Sequence, residues 1–441
     1  MNKELWISTA LEEGFDNFEI YQRVSEEKTF NYFRGELESF VTSHVLGTSF
    51  RGLYNGKMAM NATEDPGDDQ MGRVLSLMKE QSSVITSEEV AEIFPPMETE
   101  EVHSERHYVS PKSQDVLNVL SKIEKKCLGY DPRVIQVTDV SYSETYTRRE
   151  ITNSRGMDVK DEERVHVLVV GIAVQDGNEI QNDYKVEAVE DLTKLDIDQF
   201  VKEACDEVLL KLRSVSLVSG FKPVIIRKEA MTSLFSALSG LYSGELIGKG
   251  ISPLKDKLGE MIFSKKITVI DDPKDLEALS QANYDDEGHP TMKKTVVNEG
   301  VFETILHDSK SAKRMNAQST GNGFKGSYAG AVSVSPRNMY IVKGEKSLNE
   351  LEEMMGEGLV ITDFQGLHAG IDFVTTNFSL QCSGYYVKEG KRLQSVSLIT
   401  AAGNFLDLMK KVREVGNDLE WKYHSVVSPS ILFEGIAVSG E

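Results

Sequence analysis

Phe18-Glu19-Ile20-Tyr21 and Thr29-Phe30-Asn31-Tyr32-Phe33 alternate apolar with polar side chains, and Tyr54-Asn55-Gly56-Lys57 follows with the Asn-Gly pair of a type I′ hairpin. A period of two suits strands that bury one face, so the region after Gly14 reads as an antiparallel meander. A helix over residues 2–13 precedes it. Met71, Val74, Leu75 and Leu77-Met78 then set helical spacing from Asp68 to about Ile85. Together these patterns give an α+β fold class.

Further along, Pro95-Pro96 and the acid-rich stretch Glu98 to Glu105 form a linker. A helix (Gln114 to Cys127), strands (Ile135 to Val140, Thr145 to Thr152, Val165 to Val174) and an amphipathic helix (Asp196 to Leu212) follow, with turns at Arg155-Gly156 and Asp176-Gly177. Ser219-Gly220 and Pro223 mark a second junction. The expected units are an N-terminal α/β domain over 1–108, a central α/β segment over 109–218 packed with the first, and a C-terminal β-rich domain with few helices over 219–441. In the last unit, Val224-Ile225-Ile226 reads as a strand and Ala230 to Leu238 as a helix. Near the end, Asn404 is placed to cap a helix with Asp407 at its third position. Phe405, Leu408, Met409, Val412 and Val415 would line one face of that helix, and Gly416 would terminate it.

The chain has 441 residues, with 49 basic against 70 acidic side chains and a net charge of −21. Such a balance repels phosphate backbones and anionic lipid unless a basic patch offsets it. Lys265-Lys266 and Lys293-Lys294 hold two lysines each with acids nearby, so no direct nucleic-acid contact is expected. Val167 to Val174 falls well short of the roughly 20 apolar residues that a membrane-crossing helix needs, and Met1 to Trp6 opens no secretory segment. The expected location is cytoplasmic, without membrane contact. Cys127, Cys205 and Cys382 lie far apart and form no C-x-x-C.

Gly321-Asn322-Gly323-Phe324-Lys325-Gly326 matches G-x-G-x-x-G in form. A dinucleotide site needs this loop between a buried strand and a helix, yet a polar segment, Ser309 to Thr320, precedes it and the β-prone Ala331 to Val334 follows. The glycines are expected instead to let backbone approach a partner chain or an extended ligand. Gly244 to Gly250 lacks the spacing and hydroxyl of a phosphate loop, and His103 and His107 sit in an acidic connector. His289, beside Asp285-Asp286-Glu287, reads as part of a turn, with a cation or general-base role as the other possibility. His368 stands between Gly366 and Gly370, where an imidazole can reach a cleft.

Several stretches together resemble the TldD/PmbA family, the modulators of DNA gyrase. They are Asp285-Asp286-Glu287-Gly288 with Thr291, Ser319-Thr320-Gly321-Asn322-Gly323, Gly356 to Thr362, Ala402-Gly403-Asn404 and Val415-Gly416-Asn417-Asp418, together with the hairpin at Gly52 to Lys57. The resemblance implies paired subunits. It also implies, in the TldD-like branch, a zinc peptidase with a histidine-glutamate-x-x-x-histidine helix and a cysteine ligand near the C-terminus. Here that helix resembles Met231 to Gly240, with Phe235, Ser236 and Gly240 where the motif residues would fall, and no histidine occurs between His166 and His289. Cys382 precedes Ala402, and residues 421–429 hold no thiolate.

The chain therefore resembles the PmbA/TldE-like branch. The implied role is a non-catalytic subunit, with no metal or other cofactor of its own. It would pair with a TldD-like zinc peptidase subunit or with itself as a homodimer, and would help form a cleft for proteolysis of unfolded proteins or extended peptide substrates. Gly321, Asn322, Gly323, Gly326 and His368 are the candidate cleft residues. The alternatives are a homomeric peptide-binding protein without cleavage and a peptidase with an unrecognised site.

Overall fold

The computed structural model describes residues 1–64, 66–87 and 91–440. Its first part contains α1 (Lys3–Glu12), β1 (Asn17–Phe33), β2 (Glu36–Tyr54), β3 (Lys57–Glu64), α2 (Met71–Val84), α3 (Ser113–Leu128), β4 (Val134–Asn153), β5 (Asp158–Asp176), β6 (Glu179–Ala188) and α4 (Ile197–Leu209). The six strands form one antiparallel sheet in the order β3-β2-β1-β4-β5-β6. Because β1 pairs with both β2 and β4, segments 1–108 and 109–218 share this sheet. Asn55 and Gly56 adopt φ of 50° and 71°, the left-handed pair that an Asn-Gly hairpin requires.

The short strands expected at Phe18–Tyr21 and Thr29–Phe33 are two ends of the single strand β1. The charged residues between them stay extended because partners flank them on both sides: Glu26 lies opposite His44 on β2 and Tyr146 on β4. The same merging joins the two stretches expected within β4. Strand pairing on two edges overrides weak local propensity.

Parity along these strands sorts the faces. Phe18, Ile20, Phe30, Tyr32, Phe50, Tyr142, Leu168 and Val170 carry even numbers and point to one side, where Trp6, Leu75, Met78, Val116, Leu120, Ile123, Phe200 and Val208 of the helices cover them. Glu19, Tyr21, Ser49, Arg51, Arg149 and Asn153 carry odd numbers and point the other way. That polar side is buried as well: Glu19 is 1% exposed and Arg51 3%. The half-buried reading holds at Thr29–Phe33, where burial alternates, but not at Phe18–Tyr21, where the C-terminal domain covers the second face.

That domain contains β7 (Gly220–Ile226), α5 (Lys228–Ala237), α6 (Gly244–Gly248), β8 (Val269–Asp271), β9 (Lys294–Asn298), β10 (Val301–Phe302), α7 (Ser309–Arg314), β11 (Gly323–Lys325), β12 (Val332–Val334), β13 (Met339–Ile341), α8 (Leu348–Met355), β14 (Gly358–Gln365), α9 (Leu367–Gly370), β15 (Asn377–Lys388), β16 (Lys391–Asn404), α10 (Phe405–Lys410), β17 (Val412–Val415), β18 (Val426–Val427) and β19 (Ile431–Ser439). One sheet runs β16-β15-β14-β7-β19-β17, and a further β16–β19 pairing closes five of its strands into a ring. Val224, Ile226, Leu359, Ile361, Leu380 and Phe433 share one core with Met231, Leu234 and Phe235 of α5.

One sequence expectation fails here. Asn404 does cap, its side chain accepting from Asp407 N at 3.1 Å, but the helix stops at Lys410 instead of running on to Gly416. Val412 and Val415 form β17 opposite Phe433 and Ile431 of β19. Their spacing of three fits a helix face, and the strand accommodates it with a bulge between Val412 and Glu414, so the sheet edge wins.

Closure of the ring sets a packing test. A Cβ on Gly384 of β15 would strike the carbonyl oxygen of Val360 on β14, which is backbone and cannot yield without moving the strand. Gly384→Ala should cost about 1–3 kcal/mol, as overpacking does, measured by urea denaturation. An unchanged midpoint would contradict this packing.

Candidate functional site at the domain junction

The odd-numbered face of the sheet meets an acidic turn. Tyr284 bridges Pro290, and Gly288 turns the chain at φ 79°. Asp285 accepts backbone N–H groups from Glu287 (3.0 Å), His289 (2.9 Å) and Gly323 (3.0 Å). Asp286 accepts from Lys325 N at 2.7 Å and from Arg149 at 3.2 Å. Glu287 accepts from Ser309 N and Oγ, both at 2.7 Å, and from Arg51 at 3.2 Å. The other side of Arg51 meets Glu19 at 2.7 Å.

Burial alone would disfavour the Arg51 cation, but Glu19 and Glu287 more than offset it and hold its pKa above the ordinary value. Burial, and then the charge of Glu287, raises the Asp285 carboxyl against the pull of its N–H donors. Burial, and then the Arg51 cation, pushes Lys325 down to about 8. Lys325 Nζ donates to Ser49 Oγ at 2.7 Å and lies 4.4 Å from the centre of the Tyr21 ring. A serine beside a lysine of lowered pKa has the form of a nucleophile with its base. Yet Ser49 is 1% exposed and Lys325 7%, so the pair is sealed within the junction.

The glycine loop belongs to the same junction. Asn322 is fully buried and donates to Asp271 at 2.8 Å. A Cβ on Gly321 would lie 2.5 Å from the Pro290 carbonyl oxygen, and one on Gly323 would lie 2.9 Å from Glu287 Oε2. The close backbone approach expected for a partner or ligand is thus made to the chain's own acidic turn at Gly321 and Gly323. Gly326 is exposed and has open space where a side chain would be. The loop opens the β11–β12 hairpin rather than a helix, and that hairpin forms a sheet of only two strands. Gly323 N and Lys325 N point to Asp285 and Asp286, so Val332 and Val334 turn their backbone groups outward along the free edge of β12.

His368 is elsewhere. It is exposed on α9, whose short turn packs against α5 and β15. It therefore neighbours the motif helix and not the glycine loop. On α5, Phe235 is 0% exposed within the core and Ser236 faces solvent. A Cβ on Gly240 would come within 3.4 Å of the Phe373 ring. Thr232 accepts from Ser428 N at 3.0 Å, clasping α5 to the C-terminal segment. His103 and His107 are exposed in the connector. Sequence reasoning missed Arg51, Arg149, Glu19 and Lys325; the available signal was the charge at odd positions of strands whose even positions are apolar.

Residues 219–440 match the PmbA/TldA metallopeptidase C-terminal domain and residues 106–212 its central domain. With the fold, these matches define a metallopeptidase-related class of protein. The chain belongs to the PmbA/TldD family. It is 27% identical to Metalloprotease PmbA of Escherichia coli O157:H7 over 334 residues, 76% of this chain and 71% of that one. A protein of Thermotoga maritima MSB8 named for modulation of a DNA gyrase superposes with a TM-score of 0.88 at 28% identity, covering 99% of each chain. TldE of Thermococcus kodakarensis, at 23% identity, shares the fold with a TM-score of 0.90 over 99% of this chain and all of that one.

The family's metal finds a poor donor set here. Catalytic zinc takes three protein ligands and an open position. Phe235 offers carbon, Ser236 a neutral hydroxyl and Gly240 no donor. Cys382 lies 2% exposed on β15, where burial pushes its thiol up to about 12. Among the described residues, no group of three or more His, Cys, Asp or Glu is arranged to hold an ion. The residues present do not fit the metal.

Two outcomes follow from the junction. Arg51→Met leaves Glu19 and Glu287 buried without their cation and should cost about 3–5 kcal/mol in urea denaturation; a loss below 1 kcal/mol would contradict the assigned pairing. Lys325 has a folded pKa of about 8, below its ordinary 10.5, so between these values the unfolded chain holds a proton that the folded chain has lost. Stability contributed by this group therefore rises with pH across that window, by at most about 3 kcal/mol. Lys325→Met should remove that slope relative to the parent chain when both are titrated from pH 8 to 10.

Proposed function

We propose that this chain is the PmbA/TldE-like subunit of a two-part peptidase. It pairs with a TldD-like subunit that carries the metal, and it contributes walls to the peptide cleft without cutting substrate alone. The observation that carries this reading is the side-chain set of α5 and the turn after it, where a phenylalanine in the core, an exposed hydroxyl and a glycine stand in the places that the resemblance gives to zinc ligands. The substrates are unfolded proteins and extended peptides in the cytoplasm. Three buried, unpaired cysteines accord with that reducing compartment.

Extended chain can add to a free sheet edge, where backbone hydrogen bonds supply affinity with little demand on side chains. The outer edge of β12, beside exposed Gly326, is such an edge, whereas His368 lies apart from it, exposed on α9 beside α5. The same edge would serve a homomeric peptide binder, so partner dependence decides between the two readings.

Peptide cleavage and zinc content should be measured on the purified chain, on a TldD-like subunit and on their mixture. Cleavage should depend on the TldD-like subunit and rise in the mixture, with substoichiometric zinc on this chain alone. Hydrolysis by the lone chain together with one zinc per chain would overturn the proposal. Val332→Pro removes an outward N–H from β12 and should raise KM in the mixture several-fold with no change in melting temperature; an unchanged KM would rule out this edge.

A further inference from the structure

We propose that the cavity beside His289 binds the C-terminal residue of a peptide, with the imidazole accepting the last backbone N–H and Arg155 and Lys313 receiving the carboxylate. This site is separate from the β12 edge and from the motif helix, and its ligand class follows from the cavity's own groups.

The cavity measures about 710 Å³, within the range of small-ligand pockets. His289 lines it while being only 8% exposed. Its Nδ1 lies 2.9 Å from the Pro290 carbonyl oxygen. A carbonyl only accepts, so Nδ1 carries the proton and Nε2 is left as a bare acceptor. No group of the chain is recorded against that nitrogen among the described residues. Phe94 stands edge-on to the ring with centroids 5.2 Å apart, which fixes its direction. Burial lowers the imidazole pKa, so the ring stays neutral and able to accept near pH 7.

The remaining lining selects what can meet that acceptor. Arg155 and Lys313 face a single carboxylate, Glu92, so the wall carries a surplus positive charge. Arg155 spends one nitrogen on Ile93 O at 2.8 Å and lies 3.6 Å from Glu92. Lys313 is exposed and has no ion pair among the described residues. Leu53 and Phe94 supply apolar wall. A ligand must therefore present an N–H donor, a nearby carboxylate and a small apolar group between them. A peptide's last residue carries all three on one Cα, whereas a free amino terminus would be repelled by the two cations.

The full chain, without a partner subunit, should be titrated by calorimetry with Ala-Ala-Ala and with its C-terminal amide. The acid should bind saturably at one per chain. The amide should bind about tenfold more weakly, since it loses a charge-assisted contact. His289→Leu should abolish binding of the acid and Lys313→Met should weaken it. Nitrogen NMR of labelled histidine should show the Nε2 signal of His289 moving on addition of the acid, a readout that survives if the leucine variant fails to fold. Equal binding of acid and amide, absence of saturable binding, or an unmoved His289 signal would each overturn the proposal. Intact cleavage in a two-subunit mixture alongside any of these results would strike this site alone and leave the partner reading standing.

Discussion

Everything in this molecule turns on one buried cation. Arg51 sits between Glu19 on its own sheet and Glu287 on the C-terminal domain, with all three residues at most 3% exposed. A sheet covered by helices on its even-numbered side still has to dispose of Glu19, Arg51 and Arg149 on the other. The C-terminal domain answers them with an acidic turn, charge against charge, and removing either partner would leave an uncompensated ion in the interior. The turn in turn holds the backbone of β11, and the ring of Tyr328 lies directly over Gly47 of β2. The domains are thus joined by groups that tolerate little displacement.

Much of the fold was legible because hydrophobic periodicity is a local signal. Asn55-Gly56 declared its hairpin, Asn404 declared its cap, and Asp196 to Leu212 declared an amphipathic helix. Positions decided by distant partners were not legible. Val412 and Val415 fit a helix face until β19 offers an edge, and the stretch between Tyr21 and Thr29 shows no strand signal of its own until two strands flank it. The candidate site divides along the same line. The lack of histidine between His166 and His289 is a fact of the sequence and needs no coordinates. Arg51 and Lys325 could not be paired with residues more than two hundred positions away in the chain.

Helix α5 is packed into the core of the C-terminal domain. Phe235 turns into the core, and Thr232 ties the helix to Ser428. On the proposed reading, such a chain keeps the family's framework and leaves chemistry to a TldD-like subunit.

Anomalous diffraction at the zinc edge, from crystals of this chain assembled with a TldD-like subunit, tests that account most directly. The account predicts metal density at the motif helix of the TldD-like subunit and none beside Ser236 and Gly240 of this chain. A full-occupancy peak held by the residues of this chain would contradict it.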